Sequence, residues 1–403
     1  MKTTLFTLLF AFGFSLSVDS QIMIRTKIND EKTDSDITTG AERTDVYLPW
    51  LTGKNIAVVA NQTSMINATS LVDSLISLKV KVVKIFVPEH GFRGVADNGE
   101  EVGNTIDKKT GLPIISLYGD HQKPTPKDLQ GIDIVIYDLQ DVGVRCYTYI
   151  TTMSYVMEAC AENKKTFVIL DRPNPNGYYV DGPVLEAANK SFVGIHQVPL
   201  VYGMTIAEYA QMVNGEKWLA NGIQCNLKVV PCVNYVHSDW YQLPIAPSPN
   251  LPDMAAVYLY PSLCLFEGTV MSVGRGTDLP FQVVGHPKLK NGTFQFTPTS
   301  RTGSKNPPYL NQVCNGHDLH NFAMMYVRDY KGLYLYWILS TYKDMPDQAT
   351  FFNGSFVRLA GTKSLQEQIV AGKTEEEIKA TWRPAIVKFK LIRKKYLLYE
   401  DFE

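Results

Sequence analysis

Three acidic residues stand where apolar runs stop. Glu89 follows KVVKIFVP, Asp138 closes IDIVIYD, and Asp171 closes TFVILD. Each is trailed by groups suited to polar recognition: His90 and Arg93 in PEHGFRG; Gln140, Asp141 and Arg145 in DLQDVGVR; Arg172, Asn174 and Asn176 in DRPNPNG. Continuous Val/Ile runs of this kind read as strands buried on both faces, and in an open parallel sheet ligands settle beyond the carboxyl ends of the strands. A single acid there reads as a loop cap. Three on one edge predict a cleft lined with carboxylates, amides and guanidinium groups.

Such a lining suits a neutral or weakly acidic polyol, and aromatic faces for stacking a sugar ring are at hand in Phe92, Tyr118, Tyr147, Tyr149, Tyr178 and Tyr179. Cleaving a glycoside needs an acid to protonate the leaving oxygen, commonly partnered by a second carboxylate. Glu89 is the expected acid, with Asp138 and Asp171 as candidates for the second. Burial at a strand mouth favours the protonated form of Glu89, whereas His90 and Arg93 favour its carboxylate. Tyr147, Gln140, Arg172, Asn174 and Asn176 are expected to hold substrate. A later stretch, LFEGTVMSVGRGTD, adds Glu267, Thr269, Arg275 and Asp278 among glycines that permit close backbone approach, though it also reads as a tight turn. His196 and Tyr202 are further candidates.

The elements that must position these residues alternate regularly from KNIAVVAN onward. Strands are expected at KNIAVVAN, KVVKIFV, PIISLYG, GIDIVIYDLQ, KTFVILDRP and CNLKVVP, with helices at SLVDSLISL, YITTMSYVMEACAEN and TIAEYAQMVNGEKWLA. Thr205 with Glu208 predicts a capping box for the last of these. The fold class is therefore α/β: a Rossmann-like, largely parallel sheet with helices on both faces, over residues 46–240. Beyond the proline-rich LPIAPSPNLPDM the pattern is mixed and predicts a smaller α+β C-terminal domain, 241–403. There, LYPSLCLFEGT and YLYWILSTYKD read as helices, PFQVVG as a short strand, and the last forty residues as two helices with a second capping box at Thr374 and Glu377.

The amino terminus, MKTTLFTLLFAFGFSLSVDSQ, has one lysine, an apolar run and small residues after it. That layout predicts a signal peptide over residues 1–20, cleaved before Val18 or Gln21, and an exported protein, periplasmic or secreted. Residues 21–45 read as a polar arm, with order beginning near Val46. The chain has 403 residues, 45% apolar, and a net charge of −1. No field of that size draws in nucleic acid or an anionic membrane. Six cysteines include no C-x-x-C, which leaves zinc ribbons and redox motifs without support. Cys225 and Cys232 either pair across a short strand or stay buried as thiols. No dinucleotide fingerprint, P-loop, nucleophile elbow or H-E-x-x-H motif is present, so no cofactor and no metal are expected.

VANQTS, PEHGFRG, DIVIYDLQDVGVRCYTYI, DRPNPNGYYVDGPVLE, PLVYGMTIAEYA, FEGTVMSVGRGTD and the closing YLLYEDF together resemble the exo-β-N-acetylmuramidases, a glycoside hydrolase family first classed as a domain of unknown function. The likeness spans nearly all of the chain after the arm. It implies a Rossmann-like half and a smaller half with the site in the cleft. It also implies release of N-acetylmuramic acid from the non-reducing ends of peptidoglycan fragments, muropeptides or disaccharides in cell-wall turnover or recycling. It places the catalytic glutamate in the PEHG motif, at Glu89. The acetamido oxygen of such a substrate is a possible internal nucleophile, with Asp138 or Asp171 orienting it. The lactyl carboxylate calls for an arginine, among Arg93, Arg172 and Arg275.

Two other classes compete. A non-catalytic periplasmic sugar- or muropeptide-binding protein fits export and a polar cleft. A metal-dependent hydrolase would use His90, Asp138 and Asp171 as ligands, at a spacing unlike a short metal motif.

Overall fold

The computed structural model describes residues 37–89, 91–92 and 105–403. The predicted signal peptide, most of the arm, His90 and Arg93 lie outside the described residues. Structure begins ahead of Val46. Thr38 bridges Val233, Gly40 N–H donates to the Asp171 carbonyl, and a first helix, α1, runs Thr44–Leu51. The end of the arm is therefore seated on the sheet. Gly40 is what allows it: a Cβ there would lie 2.3 Å from the Val230 carbonyl oxygen.

The main sheet contains β1 (Asn55–Ala60), β2 (Lys81–Val87), β3 (Thr105–Ile106), β4 (Pro113–Ser116), β5 (Ile134–Asp138), β6 (Thr166–Leu170) and β7 (Asn226–Val230). The spatial order is β3-β4-β2-β1-β5-β6-β7, parallel throughout except for β3 at the edge. The chain lays β2 and β4 to one side of β1, then crosses back to lay β5, β6 and β7 on the other. The boundary between β1 and β5 is thus a topological switch point, the place where an open α/β sheet leaves a crevice at its carboxyl edge.

Side-chain alternation splits the strands between two cores. Ile56, Val58, Ile85, Val87, Ile134, Ile136, Val168 and Leu170 face α1 and α2 (Leu71–Ser77). Ala57, Val59, Phe86, Val135, Tyr137, Phe167 and Ile169 face α3 (Tyr149–Glu162) and α4 (Ile206–Gly215). Burial on both faces is why these strands read as unbroken apolar runs. The predicted box at α4 forms: Glu208 N–H donates to Thr205 Oγ1, and Thr205 N–H to Glu208 Oε2 at 2.9 Å.

The second segment opens with α5 (Met254–Leu263), which passes into a 3-10 turn, Cys264–Gly268. A small antiparallel sheet follows: β8 (Val283–His286), β9 (Phe294–Phe296) and β10 (Cys314–Asp318), with β10 central. Helices α6 (Tyr336–Asp344), α7 (Phe356–Ala360), α8 (Ser364–Val370) and α9 (Glu375–Arg393) complete it, α9 with the Thr374–Glu377 box. The larger core runs without a break from α3 and α4 into α5, α8 and α9, through residues such as Phe266, Leu365 and Trp382. The chain then returns to the first segment, where the Tyr399 hydroxyl donates to Asp171 Oδ2 at 2.5 Å. All six cysteines are unpaired and buried, so Cys225 and Cys232 do not form the disulfide. Among the described residues no helix is long and apolar enough to cross a membrane.

Candidate active site

A cleft of about 440 Å³ opens at the carboxyl edge of the sheet. Its first-segment lining comes from just past strand ends: Glu89 after β2, Tyr118 after β4, and Tyr147 to Tyr149 after β5. The second segment supplies Asn250, Tyr260, Glu267, Arg275, Phe281 and Arg358. The size is that of a small-molecule site.

Aromatic rings build one wall. Tyr147 meets Tyr149 at 4.6 Å and Tyr260 at 6.0 Å, both edge-on, and Tyr260 meets Phe281 at 5.0 Å. The hydroxyls are fixed: Tyr147 donates to the Pro247 carbonyl at 2.8 Å, and Tyr149 accepts from Asn61 Nδ2 at 2.9 Å. Burial raises the Tyr149 phenol well above its ordinary value, and the nearby Glu89 carboxylate adds to the rise. Both of these tyrosines therefore stay neutral and present polar, uncharged rims. Gly91, two positions past Glu89, has φ +72°, the left-handed conformation that favours glycine.

Glu267 and Arg275 form an ion pair beside the Phe281 end of that wall. Arg275 Nε and Nη2 both donate to Glu267 Oε1, at 3.0 and 2.7 Å, and the guanidinium lies 4.9 Å from the Phe281 ring centre. Close approach of backbone here is real. A Cβ on Gly268 would lie 2.4 Å from Phe356 Cα, and Gly274 has φ +78°. Thr269 only closes its own turn, donating to the Phe266 carbonyl, while Asp278 is exposed and paired with Arg301.

Six of the expected cleft residues are elsewhere. Asp138 shares a face with Ile134 and Ile136, one residue out of phase with Tyr137, so the strand points it away from the aromatic wall. There it is fully buried and holds Arg172, whose Nε and Nη2 donate at 2.5 and 2.9 Å. Asp171 is also fully buried and accepts from Thr205 Oγ1, Ala207 N–H and Tyr399. Burial pushes it up to about 7. Gln140 donates to the Asp141 and Pro173 carbonyls. Asn174 donates to Met204 O, and Asn176 to Val142 O and Val257 O, so DRPNPNG is a packed turn and not a sugar fork. With two of the three proposed metal ligands committed this way, the metalloenzyme reading loses its site.

The remaining candidates are structural too. Asp141, pushed up to about 6 by burial, accepts from Tyr202 and from Gly143 N–H. His196, driven down to about 3 by burial, bonds Ser154 Oγ at 3.1 Å beside a neighbouring hollow of about 320 Å³. Of the predicted residues, Glu89, Tyr118, Tyr147, Tyr149, Glu267 and Arg275 come together. Asn250 and Arg358 were missed. The polar, proline-rich loop around Asn250 carried a signal, since loops at a sheet edge often bear function. Arg358, in SFVRLAG, carried none.

Family models for "Exo-beta-N-acetylmuramidase NamZ" match both segments, the N-terminal model over residues 56–255 and the C-terminal model over 258–399. The chain belongs to the exo-beta-N-acetylmuramidase NamZ family. That makes it an enzyme, a glycoside hydrolase, and it retires the binding-protein reading as the first choice. A peptidoglycan beta-N-acetylmuramidase NamZ of Bacillus subtilis (strain 168) is 38% identical over 382 residues, covering 88% of this chain and 89% of that protein. Two crystal structures of DUF1343 family proteins from Bacteroides fragilis NCTC 9343 share the fold. One is 48% identical with a TM-score of 0.85, covering 91% of this chain and 99% of its own. The other is 31% identical with a TM-score of 0.75, covering 90% and 99%.

Proposed function

We propose that this NamZ-family hydrolase acts on peptidoglycan as an exo-enzyme, releasing N-acetylmuramic acid from non-reducing ends, after export, in cell-wall turnover or recycling. The observation that carries the reading is Glu89, set at the carboxyl edge of β2 inside an aromatic-walled cleft, in a chain 38% identical to a named peptidoglycan muramidase. The amino-terminal apolar run supports export.

In this reading Glu89 is the general acid. It gives its proton to the glycosidic oxygen as the C1–O bond breaks. The second carboxyl group in the described cleft, Glu267, is tied to Arg275, and Asp138 and Asp171 are out of reach. That favours the substrate's own acetamido oxygen as nucleophile: it bonds C1 to form an oxazolinium ion. Water then adds at C1 and gives its proton to the Glu89 carboxylate, restoring the acid.

The test is hydrolysis of a chromogenic β-N-acetylmuramide by the mature protein and by Glu89→Gln, beside the matching β-N-acetylglucosaminide. Turnover confined to the muramide, and lower by about 10²–10⁴-fold in the variant, is expected for loss of a general acid. A thiazoline analogue of N-acetylmuramic acid should inhibit. Tight binding of the muramide by both proteins without turnover would return the protein to the sugar-binding class.

A further inference from the structure

We propose that Arg358 is the residue that recognises the carboxylate of the substrate's lactyl ether, and so selects muramic acid over glucosamine. The inference rests on the muramidase reading and assigns a role within the same cleft.

It rests on an inventory of the cations among the described residues, outside which Arg93, the third arginine expected for this role, lies. A sugar bearing a carboxylate needs a cationic donor in the cleft, and a planar guanidinium offers two parallel N–H groups to its two oxygens. Arg172 has spent its donors on Asp138 and the Met65 carbonyl. Arg275 lines the cleft but is neutralised by Glu267, and its remaining Nη1 is shut off from solvent, so an incoming anion does not reach it. Arg358 lines the same cleft and is exposed. Among the described residues its guanidinium has one partner, Ser355 Oγ, 3.2 Å from Nη2, and no carboxylate. That contact steadies the side chain against the cleft wall and leaves other N–H groups for a ligand.

The base of Arg358 is rigid. It sits on α7, whose Phe356 is fully buried against the 3-10 turn that carries Glu267. The next two carbonyls, Leu359 and Ala360, accept from Arg145 Nη2 at 3.0 and 2.8 Å. A fixed backbone under a charged tip lowers the ordering cost of binding. With Arg275 paired to Glu267, Arg358 is the one cation lining the described cleft that has no carboxylate partner.

The experiment measures binding of N-acetylmuramic acid and N-acetylglucosamine by calorimetry to the mature protein, Arg358→Ala and Arg358→Lys, with thermal unfolding as a control. Wild type should prefer the muramic acid, and the ratio of the two affinities should fall about tenfold to a hundredfold in Arg358→Ala. Lysine, a point charge without the fork, should restore part of it. An unchanged ratio, an equal loss for both sugars, or no preference in wild type overturns the proposal. The readout does not depend on turnover. A preference that requires Arg358 in a protein that hydrolyses no muramide would defeat the muramidase reading alone, whereas muramide hydrolysis with the preference intact in Arg358→Ala would defeat this inference alone.

Discussion

Arg145 and Leu359 meet in the middle of the molecule, where a guanidinium of the first segment donates to a carbonyl of the second at 3.0 Å. Arg145 is fully buried, and its four acceptors are all backbone: Pro183 and Val198 on Nη1, Leu359 and Ala360 on Nη2. Burial alone draws its pKa down, and aligned carbonyl dipoles hold the charge. The last carbonyls of α7 ending on a cation is the arrangement a helix carboxyl end favours. Gly361, at φ +78°, leaves the space: a Cβ there would lie 2.5 Å from Arg145 Nη2.

Arg145→Met should therefore leave the Pro183 and Ala360 carbonyls without a donor, whereas Val198 keeps the Leu185 N–H and Leu359 the Cys146 thiol. Each acceptor left buried without a donor costs about 1–3 kcal/mol. Urea unfolding should show a lower midpoint with an unchanged slope. A loss under about 1 kcal/mol, the size of one ordinary hydrogen bond, would mean that the apolar core alone joins the segments.

Gly268→Ala tests the other support of α7. The new methyl would overlap Phe356 Cα, which is backbone and cannot rotate away. Overpacking of this kind costs about 1–3 kcal/mol. Because α7 carries Arg358, the variant should also lose sugar preference. Lower stability with intact preference would separate α7 packing from recognition.

The strands and helices were legible because burial on both faces writes itself as continuous apolar runs, and the capping boxes at Thr205 and Thr374 are local chemistry. The site was only partly legible. Glu89, Asp138 and Asp171 look alike in sequence, yet a strand directs successive side chains to opposite faces, and Asp138 falls on the face opposite Tyr137. The distinctive DRPNPNG motif owes its composition to packing: Asn174 Oδ1 accepts from Asn176 N–H at 2.9 Å, and a Cβ on Gly143 would lie 2.4 Å from the Asn174 amide. Arg358 was invisible because its place depends on α7 packing against Arg145, 214 residues before Leu359 in the chain, as the Arg145–Leu359 bond shows. No local pattern encodes that meeting.

Asp171 should make stability depend on pH. Its carboxyl is raised to about 7 in the fold, against about 3.9 in an unfolded chain. Between those values the native state binds more protons than the unfolded state, so stability is greatest below about pH 4 and falls as pH rises toward 7. The full effect is at most about 4 kcal/mol. Asp171→Asn keeps an acceptor for the Ala207 N–H, and the Tyr399 and Thr205 hydroxyls can reorient. The stability of wild type relative to the variant should then decline from pH 4.5 to 8. A flat difference would show that these donors keep the carboxylate ionised despite burial.

The Glu267–Arg275 pair offers a test with two signs. If Glu89 works as an acid, activity falls as pH rises and the acid ionises. Glu267→Gln leaves Arg275 uncompensated in the same cleft, and a nearby positive charge favours the ionised form of an acid. The alkaline limb of kcat/KM on the muramide should move to lower pH. Arg275→Met leaves Glu267 uncompensated, and the limb should move to higher pH. Screening weakens both shifts, so they should shrink between low salt and 0.5 M salt. General damage to the cleft lowers activity without moving the two variants in opposite directions. Shifts of the same sign, or none, would mean that the group titrating in the rate profile does not face this pair, and Glu89 would lose its place as the acid.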